Sequence, residues 1–282
     1  MSYPASPDVV ELRCARAFSF LEGASNPEDL AERAAELGYG AVALADRGGF
    51  YGVPRFHQAA KAAGLAAIVG ARIAVEGGPD LLLLVESQRG YRNLSRLLTV
   101  AHERGGKRDA SATWDEVAEH TGDLVALVRG DGSLSPASLE QTRRVLGPAR
   151  VWVDVSRHLD RRAEGEARWA AAVAESLGVP IVATNDVRHA RQSDRPLFDA
   201  LTCLRHHVTL DTAGRRLAPN AERHLLAPAE WTRRFADRPA WLAATRQVAE
   251  RCAFRMGDLG YRFPTFPTED GESQASLLRR LT

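Results

Sequence analysis

The sequence is poor in the features that mark several protein classes. Only three of its 282 residues are cysteine, Cys14, Cys203 and Cys252. They are far apart and form no C-x-x-C pair, so neither a disulfide framework nor a thiolate zinc site is expected. Buried, reduced thiols in a cytoplasmic protein are the expectation instead. No apolar run approaches the roughly 18 residues of a membrane-spanning helix. Met1-Ser2-Tyr3-Pro4 lacks a basic stretch followed by an apolar one, which reads against a secretory leader. Glycine and proline are too sparse for a fibrous or disordered chain. No G-x-S-x-G elbow, P-loop or H-E-x-x-H is present, nor any internal repeat or low-complexity tract. Lysine is almost missing. Of 37 basic residues only Lys61 and Lys107 are lysines, and 36 acids leave a net charge of +1. That balance is not the basic excess of an independent DNA-binding domain. The arginine bias means that any anion contact is planar and bidentate.

What is there is ordinary in bulk and patterned in detail. With 45% apolar and 26% charged residues, the chain suffices for one large domain or two modest ones. Up to about residue 190, strand-like and helix-like segments alternate. Val9–Leu12, Ala41–Ala45, Ala66–Val75, Asp80–Val85, Leu124–Val128, Val151–Val155 and Ile181–Ala183 read as strands. Asn26-Pro27-Glu28-Asp29 opens a helix carrying Leu30, Ala34 and Leu37 on one face and stopped by Gly38. Further helices are expected over Val53–Ala63, Tyr91–His102, from the capping box Thr113-Trp114-Asp115-Glu116, and over Leu139–Leu146 and Ala163–Leu177. Gly105–Ser111 reads as a polar loop. Alternation of this kind implies a parallel sheet, open or closed into a barrel, with its chemistry at the carboxyl ends of the strands.

From about Arg191 the alternation stops. Helices are expected over Arg195–Leu204, Pro228–Phe235, Ala240–Cys252 and Ser276–Leu281, with a turn-rich stretch at Phe263-Pro264-Thr265-Phe266-Pro267. The division is therefore 1–190 for the alternating domain and 191–282 for a helical extension. A chain that ends within a helix lacking a cap reads as a piece of something longer.

The residues just after the strands carry the candidate chemistry. His158, Asp186 and His189, with Asp46 and Asp154, offer imidazole and carboxylate to a divalent metal. Each also has an ordinary role as a helix cap or a loop hydrogen-bonding group. His206 and His207 are adjacent on a helix, do not share a face, and read as a solvated pair. Gly48-Gly49 reads as a strand-end turn rather than a phosphate cradle.

Several stretches resemble the N-terminal PHP (polymerase and histidinol phosphatase) domain of bacterial replicative polymerases. Among these, the likeness is to the error-prone, damage-inducible ImuC branch of the DNA polymerase III alpha family. They are Glu11-Leu12-Arg13-Cys14 with Phe18 to Ser25, Ala43 to Gly52, Ile68 to Arg72, Gly90 to Leu94, Arg157 to Arg161, Ala183 to Arg188 and Leu217 to Leu225. They occur in order along nearly the whole chain. The resemblance implies an α/β fold, a distorted (β/α) barrel of seven units followed by a helical extension leading toward a polymerase palm. It implies a parent protein about three times longer, with palm and thumb domains, DNA and mutagenesis accessory proteins as partners. The palm aspartates that hold magnesium are expected in a P-D-x-D-x-D motif, which this chain lacks. An active member of the family binds up to three metals and hydrolyses phosphoesters. Its H-x-H motif falls on Arg13 and Ala15, its T-D-H histidine on Arg47 beside the retained Asp46, its third-strand glutamate on Arg72, and its N-D-x-H histidine on Arg188 after the retained Asp186. His158 matches a family histidine, and Asp154 lies where a family acid often stands.

Four ligand positions have thus become arginine, which has no lone pair for a metal. The expectation is a metal-free pocket in which Arg13, Arg47, Arg72 and Arg188 pair with Asp46, Asp154 and Asp186. Four cations against three carboxylates leave room for a bound anion on those arginines. No catalytic residue and no cofactor are expected in this chain. The function expected is a structural module of an error-prone translesion polymerase. The alternatives are a metal-dependent phosphoesterase or 3′-5′ exonuclease using His158 and Asp186, and an interaction module centred on the basic segment Arg188–His224.

Overall fold

The structure is a computed structural model and describes residues 9–105, 110–260, 267–268 and 273–281. Residues 1–4, read above for a leader, lie outside the described residues. So do 106–109 of the expected polar loop and 263–266 of the turn-rich stretch. Eight strands are present among the described residues: β1 (Glu11–Cys14), β2 (Ala41–Arg47), β3 (Ala66–Val75), β4 (Leu81–Val85), β5 (Ser111–Ala112), β6 (Leu124–Arg129), β7 (Val151–Ser156) and β8 (Ile181–Thr184). The barrel helices are α1 (Pro27–Glu36), α2 (Val53–Ala62), α3 (Gln88–Gly105), α4 (Trp114–Glu119), α5 (Pro136–Leu146) and α6 (Arg161–Ser176). Beyond β8 come α7 (Arg195–His206), α8 (Leu210–Ala213), α9 (Pro228–Arg234), α10 (Pro239–Arg251) and α11 (Gln274–Leu281). No described helix is long and apolar enough to cross a membrane.

Local chemistry explains the helix starts. The Asp29 carboxylate accepts the Asn26 N–H at 3.0 Å, and Pro27 takes the first helical position. At α4 the two capping-box bonds run between Thr113 and Glu116, at 2.7 and 3.2 Å.

The strands run in the order β1-β2-β3-β4-β6-β7-β8, with β5 attached to the far end of β3. The ring then closes on itself: Ala15 N–H donates to Val187 O and Val187 N–H to Arg13 O, both at 2.9 Å. The fold is thus a nearly closed, seven-stranded barrel wrapped by helices. The expected parallel sheet is corrected at one strand, because β4 is antiparallel to both neighbours. Only residues 76–80 join β3 to β4, too few for the crossover of a dozen or more that a parallel return needs. The first strand is also displaced from the expected Val9–Leu12 to Glu11–Cys14. Its charged Glu11 and Arg13 are both buried, so apolar periodicity hides it.

Side chains alternate between two cores. Leu81, Leu83 and Val85 of β4 face the helices, while Leu82 and Leu84 face the barrel interior. Leu12, Ile68, Val125, Leu127, Trp152 and Val182 share that interior with Ala244, Val248 and Ala249 of α10 and with Cys252 just past its end. Thr245 Oγ1 accepts the Val10 N–H at 3.0 Å, which fixes α10 across the end where the parallel strands begin. The opposite mouth, at the carboxyl ends of those strands, is left open.

Candidate functional site

The interior-facing stripe changes character toward the open mouth. On β3 it runs Ile68, Gly70, Arg72; on β6 Val125, Leu127, Arg129; on β7 Trp152, Asp154; on β8 Val182, Thr184. Apolar layers therefore give way to a charged one, with Arg129 beside Asp154 and Arg47 beside Arg72 in the strand register. Above it opens a cavity of about 710 Å³, whose lining includes nine arginines and six carboxylates.

The carboxylates act as hubs. Asp154 takes the full fork of Arg13, Nε at 2.5 Å and Nη2 at 2.9 Å, and accepts Thr184 Oγ1 at 3.1 Å. Asp186 is buried, sits in the left-handed region at φ 44°, and pairs with Arg129, Arg223 and, at 3.0 Å, Arg188. Burial pushes its pKa up, but those guanidinium groups outweigh burial and hold the carboxyl well below its usual range. Glu22 alone serves four arginines: Arg72, Arg47 at 3.1 Å, and Arg188 and Arg205 at 3.4 Å each. Burial again opposes its ionisation, and Arg72 and Arg188 overcome it, bringing the pKa down to about 2. Asp46 pairs with Arg16 at 2.8 Å and accepts Ser19 Oγ and the Gly52 N–H at 3.1 Å.

The expected pairing is therefore corrected in part. Arg13 and Arg188 do meet Asp154 and Asp186. Arg47 and Arg72 meet Glu22 instead of an aspartate, because Glu22 enters the mouth from the loop after β1. Asp46 points under that loop to Arg16, whose burial lowers its pKa to about 10. Ala15 only donates its backbone N–H in the ring closure. Sequence reasoning missed Glu22, Arg16, Arg129, Arg205 and Arg223. Arg129 carried a signal, two residues past Leu127 on an interior stripe. Arg205 and Arg223 carried none, since they arrive from segments distant in sequence.

The histidines divide. His158 lies in the mouth, its Nε2 donating to Asn185 O at 2.9 Å. Burial, helped by Arg223 and Arg129, pulls its pKa to about 3, so the ring is neutral. His189 belongs to a separate group, stacked on His224 with centroids 6.4 Å apart, and its Nδ1 donates to Arg191 O. His206 and His207 are exposed at the end of α7, where His207 takes the left-handed cap at φ 53°. Gly48 takes φ 66° in a strand-end turn. Beneath the mouth, Glu11 is wholly buried and accepts the N–H groups of Arg13 and Asn185, both at 2.8 Å. Desolvation raises its pKa to about 8.

No grouping of three or more histidine, cysteine, aspartate or glutamate side chains suited to a metal is found among the described residues.

The family model described as PHP domain matches residues 11–176. An error-prone DNA polymerase of Anaeromyxobacter dehalogenans strain 2CP-1 is 42% identical over 276 residues, which cover 93% of this chain and 24% of that protein. One from Pseudomonas syringae pv. syringae is 38% identical over 281 residues, covering 98% of this chain and 27% of that protein. The chain thus spans about a quarter of the length of these relatives. Among solved structures, a putative metal-dependent phosphoesterase from Bifidobacterium adolescentis aligns with a TM-score of 0.43 at 17% identity, over 66% of this chain and 88% of that one.

Proposed function

This chain belongs to the PHP domain family, and from that premise we propose that it is the N-terminal PHP region of an error-prone DNA polymerase, metal-free and structural in role. The observation that carries the reading is the engagement of the family's ligand positions. Arg13 is forked onto Asp154, Arg72 is held by Glu22 through Nη2, and Arg188 is shared between Asp186 and Glu22, so the cations that organise the mouth are guanidinium groups. A guanidinium stays protonated and offers no lone pair. In this reading the barrel (1–190) and the extension (191–282) support the palm and thumb of a longer cytoplasmic chain that binds DNA and uses magnesium elsewhere. An inert PHP mouth accords with a polymerase that extends past lesions rather than removing mispaired ends.

Metal analysis of the purified chain, with a generic phosphoester assay in manganese and in zinc, tests this. The expected result is metal far below one per chain and no turnover. Near-stoichiometric metal with turnover abolished by EDTA overturns it in favour of a phosphoesterase or exonuclease.

A second reading concerns the segment Arg188–His224. Leu197, Leu204 and Leu210 are exposed there beside Arg205, Arg215 and Arg216, which suits a surface for mutagenesis accessory proteins. Changing the segment's exposed arginines to serine should abolish capture of such a partner if that is its role.

A further inference from the structure

We propose that the mouth contains a metal-independent phosphate-monoester site centred on the Glu22 arginine cluster, suited to the terminal phosphate of a DNA strand or nucleotide. It shares with the reading above the premise that guanidinium groups, not metals, supply the positive charge. It adds a ligand, and it joins three of the family's ligand positions, Arg47, Arg72 and Arg188, to Arg205 of the extension.

The charge balance comes first. Arg47, Arg72, Arg188 and Arg205 converge on one carboxylate, and Glu22 contributes no more than a single negative charge. Arg188 also leans on Asp186, but Asp186 is already shared with Arg129 and Arg223. Counting Asp131, which pairs with Arg129, and the Arg13–Asp154 pair beside it, seven arginines face four carboxylates. Cations at this density repel one another unless an anion joins them. A phosphate monoester carries between about −1.5 and −2 at neutral pH, which matches the surplus better than a diester or a carboxylate.

The second observation is an incomplete fork. Arg72 is 5% exposed, and its Nε is buried with no hydrogen-bond partner, although Nη2 is held by Glu22. Arg16, Arg33 and Arg157 also leave a buried Nε unpaired, but of the four only Arg72 lines the cavity, where a bound oxyanion would complete its fork. Arg13, by contrast, has both Nε and Nη2 on Asp154 and is spoken for. The third observation is access. The side chains of Arg47 and Arg205 are 50% and 45% exposed, and they reach Glu22 from separate elements, the end of β2 and the last turn of α7. Arg215 and Arg216 line the same cavity from the short turn after α8. Two loosely held arms over a fixed, unsatisfied guanidinium form a clamp of the geometry arginine offers to phosphate. The cavity's roughly 710 Å³ is of nucleotide-site size.

The test uses the chain in EDTA at low ionic strength. Inorganic phosphate should raise the melting temperature. A fluorescent oligonucleotide with a 5′-phosphate should bind about tenfold more tightly than its 5′-hydroxyl counterpart, and both inorganic phosphate and a deoxynucleoside monophosphate should compete with it. The Arg47→Gln/Arg205→Gln double variant removes only the exposed arms. It should keep the phosphate-free melting temperature and lose the preference, while Arg72→Lys, which keeps charge but not the fork, should weaken it. Equal binding of the two oligonucleotides, no phosphate response, or a double variant with intact preference overturns the proposal. Repeating the titration with manganese separates the two readings. Phosphate binding that appears only with the metal sinks both, whereas absence of binding in both conditions sinks this one alone.

Discussion

At the scale of single residues, the mouth is organised by buried carboxylates whose neighbours keep them ionised. Asp186 is the most heavily loaded, facing three guanidinium groups. Replacing it by Asn keeps a residue tolerant of the left-handed backbone at φ 44°, so the loss is electrostatic. Removing one partner from a buried ion-pair network costs about 3–5 kcal/mol. Asp186→Asn should therefore lower the urea midpoint clearly, and an unchanged midpoint would mean that the network contributes nothing. Away from the mouth, Trp231 Nε1 donates to Tyr39 Oη at 2.6 Å, and Tyr39 donates to Leu226 O at 2.7 Å. Tyr39→Phe strands both buried partners and should cost about 1–3 kcal/mol in the same measurement.

At the scale of elements, the site depends on how closely β3 and β4 approach. Gly70 lies on the interior stripe two residues before Arg72. A Cβ there would come within 2.7 Å of Leu83 O, a backbone atom that cannot swing aside. Gly70→Ala should force the strands apart and destabilise by about 1–3 kcal/mol, and by moving Arg72 it should also alter phosphate binding. The 76–80 hairpin acts at the same scale, since it reverses β4 and so decides which strand ends reach the mouth. The plug helix α10 is an element of the extension yet completes the barrel's core. Val248→Asp buries an unpaired charge there and should prevent cooperative folding, read as loss of a sigmoidal thermal melt.

At the scale of the whole molecule, opposing titrations shape the pH dependence of stability. His158 has a folded pKa of about 3 against an ordinary 6.5, so the unfolded chain binds the extra proton between those values. Stability from this group falls as pH drops from 6.5 toward 3, by up to about 1.4 kcal/mol per pH unit. Glu22 acts in the same direction lower down, because its stabilisation is present above 4.5 and lost as pH falls toward 2. Glu11 does the reverse. Its folded pKa of about 8 means that stability is lost as pH rises from 4.5 to 8. Chemical denaturation of Glu11→Gln and wild type at pH 5, 6.5 and 8 should show the variant gaining on wild type as pH rises. A constant difference would show that Glu11 is ionised throughout.

Much of this architecture could be read from the chain. Helix starts at Asn26 and Thr113 and apolar runs such as Ala41–Ala45 and Val151–Val155 are local signals, so the alternation followed from them, while closure into a barrel was implied only by the family resemblance. Of the candidate mouth residues, Arg72, Asp154, His158, Asp186 and Arg188 were legible as polar residues toward or just past the carboxyl ends of strands, whereas Arg13 came from the family resemblance alone. The tertiary structure alone decided who pairs with whom. Glu22 and Arg205 lie far apart in sequence, and a charge in a loop carries no periodicity to announce its burial. It also decided that β4 runs backward and that α10 closes the barrel, because those outcomes depend on connection length and on a surface that exists only once the strands have assembled.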